Sequence, residues 1–66
     1  MKITNESEFA VIMAARRKEI KMTLRALSEA AGVPKSTLSL IERGKRGASL
    51  ENAIKIAKAL GIEMHT

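Results

Sequence analysis

The side chains best suited to chemistry in this chain of 66 residues are basic or carry a hydroxyl group. The formal net charge is +5, and the basic residues are unevenly distributed. Between residues 32 and 48 the bases outnumber the acids, with Lys35, Arg43, Lys45 and Arg46 against Glu42. Ammonium and guanidinium groups donate hydrogen bonds and attract anions, whereas hydroxyl groups donate and accept. The pattern favours binding of phosphates over a chemical reaction.

Nothing in the sequence indicates a catalytic or metal site. The chain has no Cys and one His, His65, without a neighbouring ligand, so we expect no metal and no cofactor. The Ser and Glu residues lack an adjacent base or a Gly-rich nucleophile turn, so we expect no enzyme. No signal-peptide pattern and no apolar run of roughly 20 residues are present. We therefore expect a cytoplasmic protein without a membrane segment.

The basic residues lie on and beside a stretch that predicts two short helices, from residue 23 to residue 44. Thr23 suits an N-cap, and Leu24, Leu27 and Ala31 have the spacing of one helix face. Gly32 ends this helix, because a C′ position favours a positive φ that Gly adopts without steric cost.

A second helix is predicted from Lys35 to Arg43, with Pro34 at its first turn and Gly44 after its end. Leu38 and Ile41 face inward. Two helices joined by so few residues cross at a steep angle, so residues 23–44 are predicted to be a helix-turn-helix. The side chains that face away from Leu38 and Ile41 are Lys35, Ser36, Ser39 and Leu40, and Thr37 lies at the edge of this outward face.

This stretch resembles the lambda-repressor-like Cro/cI (XRE) family of DNA-binding domains, and the similarity extends from about Phe9 to Ile62. The residues that carry it are Leu27, Ser28, Ala31, Gly32, Val33, Leu38, Ile41, Glu42, Arg43 and Gly44. The resemblance implies that residues 1–66 form a single, compact all-α domain of four to five helices. It also implies that a small residue at Ser28 lets the two helices approach each other.

The resemblance places the main base-edge contacts at Lys35, Ser36, Ser39 and Leu40, and we add Thr37. In a major groove, Lys35 could donate to guanine O6 or N7, and the hydroxyl groups would discriminate weakly. Leu40 departs from the polar residue common at its position. It could cover a thymine methyl group, or instead be an exposed apolar residue or a protein contact.

Phosphate contacts require charge and oriented amides, without base identity. We expect them from the first amides of the helix at Thr23 and Leu24, and from Arg43, Lys45 and Arg46 in the basic loop. The family often has Gln where this chain has Leu24, which removes a side-chain contact but leaves the backbone amides.

The resemblance further implies an ion pair between Arg17 and Glu42 that joins the first helix to the reading helix and presents Arg17 to phosphate. Arg16 is the alternative partner, and two separate surface charges are the simpler interpretation.

Two further helices are predicted around the motif. The first runs from about Glu6 to Ile20, with Asn5 and Glu8 as a capping box. The last begins after Ser49 and stops at Gly61. Its core face is predicted to comprise Leu50, Ala53, Ile54, Ala57 and Leu60, with Ile56 outside that face. Residues 62–66 alternate apolar and polar side chains like a short β-strand.

Three functions are compatible with these patterns. The first is a transcriptional regulator, most often a repressor, that binds double-stranded DNA as a homodimer on a palindromic operator. We expect its dimer surface on the last helix and the C-terminal segment, at Ile56, Leu60, Ile62 and Met64. The second is an antitoxin that binds a cognate toxin protein and represses its own operon, because residues 42–64 resemble the HipB-like branch. The third, an RNA binder or helical adaptor, is disfavoured because Phe9 is the only aromatic residue.

Overall fold

The structure, a computed structural model, describes residues 6–62. They form four helices: α1 (Glu6–Glu19), α2 (Leu24–Ala31), α3 (Lys35–Glu42) and α4 (Leu50–Leu60). The predicted all-α fold is confirmed, with four helices and no strand in the described part of the chain. The predicted strand lies, apart from Ile62, outside the described residues, as does Asn5 of the predicted capping box. No helix within 6–62 is long and apolar enough to span a membrane.

Local chemistry sets the helix ends largely where the sequence predicts them. The Thr23 hydroxyl accepts from the Ala26 amide at 3.0 Å, and the Ser49 hydroxyl accepts from the Asn52 amide at 3.1 Å. Gly32 adopts φ 70°, which reverses the chain after α2. Pro34 occupies the N-cap of α3, one residue before the predicted position. The helix ends therefore differ from the prediction by one residue at most.

One apolar core joins all four helices. Its fully buried side chains come from all four helices and from the α2–α3 turn. They include Met13 of α1, Leu27 of α2, Val33 of the turn, Leu38 and Ile41 of α3, and Ile56 and Leu60 of α4. Because each helix contributes to the same core, burial of the inward faces of α2 and α3 fixes which residues of α3 point outward.

The buried face of α4 differs from the predicted one. Ile56 and Leu60, which we expected on a dimer surface, are 0% and 1% exposed, so both belong to the core of a single chain. Leu50 and Ile54, expected in the core, are 63% and 41% exposed. The apolar residues of α4 form two adjacent faces with the same three-to-four spacing, so the spacing alone does not distinguish them. Packing against α1 and α2 buries the face that contains Ile56.

Candidate nucleic-acid interface

The turn between α2 and α3 is held by a side-chain hydrogen bond as well as by Gly32. The Ser28 hydroxyl donates to the Val33 carbonyl oxygen at 2.7 Å, and the Gly32 amide donates to the Ser28 carbonyl oxygen at 2.9 Å. Leu27 and Val33, on either side of the turn, are buried. The sequence indicated only that Ser28 is small; its hydroxyl bond depends on the turn geometry, and no residue spacing signals it.

The helix α3 presents its polar side away from the core. Lys35 and Ser36, in its first turn, are exposed, whereas Leu38 and Ile41 are buried. Three other side chains proposed to contact bases are half-buried on the flanks of the helix: Thr37, Ser39 and Leu40. The structure thus brings the five predicted reading residues together on one short helix, with the most accessible at its N-terminal end.

Five of the six predicted phosphate-binding residues lie at two places, and the sixth, Arg17, lies on α1. Thr23 and Leu24 stand at the start of α2, where the first amides have no partner within the helix. Arg43, Lys45 and Arg46 are exposed after the end of α3, and none forms an ion pair with another residue of the described range. Arg43 Nε donates to the Ser39 carbonyl oxygen at 3.4 Å, which keeps this side chain near α3.

Arg17 and Glu42 form the predicted pair between α1 and α3. Arg17 Nε lies 2.6 Å from Glu42 Oε2, and its Nη2 lies 3.1 Å from Oε1. Arg17 Nη1 also donates to the Met22 carbonyl oxygen at 2.8 Å, so one guanidinium joins α1, the turn after it and the end of α3. The two side chains are only 15% and 11% exposed. The hydrogen bond to Glu42 raises the pKa of Arg17 against the opposing effect of desolvation, so the guanidinium stays charged.

Arg16, the alternative partner for Glu42, has a different role. Its Nε donates to the Leu60 carbonyl oxygen at 2.9 Å, and its Nη1 pairs with Glu19 at 2.7 Å. Successive residues of a helix point about 100° apart, so Arg16 reaches the end of α4 while Arg17 reaches α3. Sequence spacing left this choice open, and the positions of the two neighbouring helices decide it.

This arrangement of α2, turn and α3, with an outward polar face and flanking cations, is that of a helix-turn-helix DNA-binding domain. A helix-turn-helix family model matches residues 13–65, so the chain belongs to the helix-turn-helix family of the Cro/cI (XRE) type. It is also similar to an uncharacterized HTH-type transcriptional regulator of Methanothermobacter thermautotrophicus. The two are 38% identical over 52 residues, which cover 79% of this chain and 75% of the relative.

Membership of this family defines the function at a coarse level. The chain is a DNA-binding transcriptional regulator of the helix-turn-helix class, and the family is non-enzymatic. DNA binding agrees with the chemistry of the site, which offers hydrogen-bond donors and positive charge. In the described range, no group of three or more His, Cys, Asp or Glu side chains is arranged to hold a metal ion.

Proposed function

We propose that this regulator is a sequence-specific repressor that binds a palindromic operator as a homodimer, with α3 in the major groove. The observation that carries the proposal is the orientation of α3. Its back, Leu38 and Ile41, is buried in the core, and its N-terminal residues Lys35 and Ser36 are exposed. In helix-turn-helix proteins, the N-terminal residues of the second helix contact base edges.

The reading residues have distinct roles in this proposal. Lys35 donates to guanine O6 or N7, and Ser36 and Ser39 form weaker hydrogen bonds that discriminate less. Thr37, at the edge of the outward face of α3, also contacts a base edge. Leu40, which is half-buried, offers its remaining apolar surface to a thymine methyl group.

The phosphate contacts flank the reading helix on both sides. The amides at Thr23 and Leu24 meet one phosphate, assisted by the positive end of α2. Arg43, Lys45 and Arg46 meet the backbone on the other side of the groove. All three guanidinium nitrogens of Arg17 donate to Glu42 or Met22, which leaves two of its five N–H groups for a phosphate.

A single copy reads too little DNA for an operator. The eight residues of α3 span about 12 Å, or roughly three to four base-pair steps. Two copies on half-sites separated by about 34 Å double the sequence that is read, and a two-fold dimer matches a palindrome. Such a complex represses by occupying the site that RNA polymerase requires.

Binding to a toxin stays a prediction. The resemblance to the HipB-like branch depends on a strand after the last helix, and residues 63–66, including Met64, lie outside the described range. Co-purification with the product of an adjacent gene would test this role directly.

Selection of bound duplexes from random DNA tests the proposal and supplies the operator. With the selected duplex, we expect Lys35→Ala and Ser36→Ala to change which base is preferred at one position of each half-site. Lys45→Ala and Arg46→Ala should instead weaken binding to all sequences by similar factors, because phosphates carry no sequence information. Recovery of unrelated sequences, or identical behaviour of the two groups of variants, would contradict the proposed division into reading and anchoring residues.

A further inference from the structure

The start of α3 lacks the side-chain cap that α2 and α4 have. The hydroxyl groups of Thr23 and Ser49 accept from amides in the first turns of those two helices. The N-cap of α3 is Pro34, whose ring offers no acceptor, and no side chain of the described residues caps this helix. Lys35 and Ser36 follow directly, so a cap does not fix the reading end of α3.

The Ser28 hydroxyl supplies a constraint from α2 instead. It lies 2.7 Å from the Val33 carbonyl oxygen, and because a carbonyl oxygen only accepts, the hydroxyl is the donor. No backbone amide within residues 6–62 donates to this oxygen. The next carbonyl oxygen, that of Pro34, accepts from the Leu38 amide at 3.0 Å and begins the hydrogen bonding of α3. Ser28 is therefore the donor to the last carbonyl group before α3.

Ser28 also holds the other side of the turn. Its carbonyl oxygen accepts from the Gly32 amide at 2.9 Å, so one residue of α2 binds the chain before and after the turn. The Val33 side chain is 1% exposed, which places the hydroxyl bond beside the core. An acceptor that loses its donor in such a place carries a desolvation penalty. Loss of the hydroxyl group therefore favours a shift of Val33 that brings its oxygen to water.

A displacement at the start of α3 affects base contacts and phosphate contacts differently. Lys35 and Ser36 are the first two residues of the helix. Because hydrogen bonds weaken outside a narrow range of distance and angle, a shift of about 0.5 Å there impairs contacts with base edges. Lys45 and Arg46 are exposed, and their long side chains adjust to such a shift when they contact phosphates.

We propose that Ser28 is a positioning residue for sequence recognition. Its hydroxyl group fixes the start of α3 and thereby determines how strictly Lys35 and Ser36 discriminate between bases. The proposal rests on the proposed function, in which these two residues read the major groove. It gives the hydroxyl group a role beyond the small size of Ser28, which Ala would share.

Ser28→Ala and the matched control Ser49→Ala test this role. Each removes one hydroxyl hydrogen bond, and Ser49 caps α4, where we propose no DNA contact. The measured quantity is the ratio of the affinities for the selected duplex and for an unrelated duplex. We expect Ser28→Ala to lower this ratio at least ~5-fold, through weaker binding of the selected duplex, and Ser49→Ala to change it less than ~2-fold.

Circular dichroism verifies that both variants are folded. An unchanged ratio in Ser28→Ala would overturn the proposal, and so would equal weakening of binding to the two duplexes. An equal fall of the ratio in Ser49→Ala would also overturn it, because lost stability would then explain both variants.

Hydrogen exchange of the free protein gives a readout that does not depend on DNA. The Leu38 amide forms the first hydrogen bond of α3, and the Ala53 amide, which donates to the Ser49 carbonyl oxygen at 2.8 Å, forms that of α4. We expect Ser28→Ala to accelerate exchange at Leu38 relative to Ala53, and Ser49→Ala to do the reverse. Exchange at Leu38 that Ser28→Ala leaves unchanged would overturn the proposal. A wild-type protein that selects no duplex, with Leu38 responding as expected, would support the placement of α3 by Ser28 and contradict the proposed function.

Discussion

At the scale of single residues, burial determines how much an Arg–Glu ion pair contributes to stability. Arg25 and Glu29 are four residues apart on α2, 3.6 Å apart in space, and 84% and 73% exposed. Arg17 and Glu42 are 25 positions apart, join two helices and form two hydrogen bonds while largely buried. Water screens the first pair, so it contributes little, whereas removal of one partner of the second leaves a guanidinium poorly compensated.

We expect Glu42→Gln to destabilise the fold by about 2 kcal/mol, because the amide keeps a hydrogen-bond acceptor but loses the charge that pairs with Arg17. The matched substitution Glu29→Gln in the exposed pair should change stability by less than about 0.5 kcal/mol. Urea denaturation of both variants measures the difference. Equal losses in the two variants would show that burial does not strengthen the Arg17–Glu42 pair.

The sequence predicts some of these residue-level features and misses others for a physical reason. The ends of α2 and α4 depend on chemistry within a few positions, at Thr23, Gly32 and Ser49, and the sequence contains it. The resemblance predicts the pair between Arg17 and Glu42, but the bond from Ser28 to Val33 and the contact of Arg16 with the end of α4 depend on how helices are placed around them. Such placement is a tertiary property that local spacing does not encode.

At the scale of elements, three helices end with the same backbone arrangement. In each, an amide donates a 6→1 hydrogen bond to the carbonyl oxygen five residues earlier. The pairs are Met22 to Arg17 at 2.9 Å after α1, Lys45 to Leu40 at 2.9 Å after α3, and Ile62 to Ala57 at 2.8 Å after α4. This Schellman motif requires a residue with positive φ at C′. In α3 and α4 that residue is Gly, whereas in α1 it is Lys21 at φ 57°. The sequence marked the glycine positions but gave no signal for Lys21.

We expect Lys21→Gly to stabilise the protein by about 1 kcal/mol, because Gly adopts the left-handed conformation without the steric cost that a Cβ carries. Gly44→Ala at the equivalent position of α3 should destabilise it by a similar amount. A Cβ at Gly44 meets no atom within 4 Å, so the effect there comes from the backbone alone. Thermal unfolding compares both variants with the wild type. If both substitutions shifted the melting temperature in the same direction, the steric cost of a positive φ would not explain both effects.

At the scale of the whole molecule, the distance between half-sites constrains where a dimer axis can lie. The chain measures 27 × 22 × 18 Å. In a two-fold dimer, equivalent atoms are separated by twice their distance from the axis, so reading helices about 34 Å apart lie about 17 Å from it. The 27 Å dimension of the chain accommodates that distance when the dimer surface lies on the side of the chain away from α3.

The dependence of DNA affinity on salt tests phosphate contacts and dimer formation together. Each neutralised phosphate contributes about −0.9 to the slope of log affinity against log salt, because condensed counterions are released. A homodimer carries every cation twice, so Lys45→Ala or Arg46→Ala should make the slope less negative by about 1.8, against about 0.9 for a bound monomer. Lys58→Ala, which removes the same charge from the last turn of α4, should leave the slope unchanged when measured above the dimer dissociation constant. An equal change in slope for Lys58→Ala would place phosphate at α4, where we propose no DNA contact.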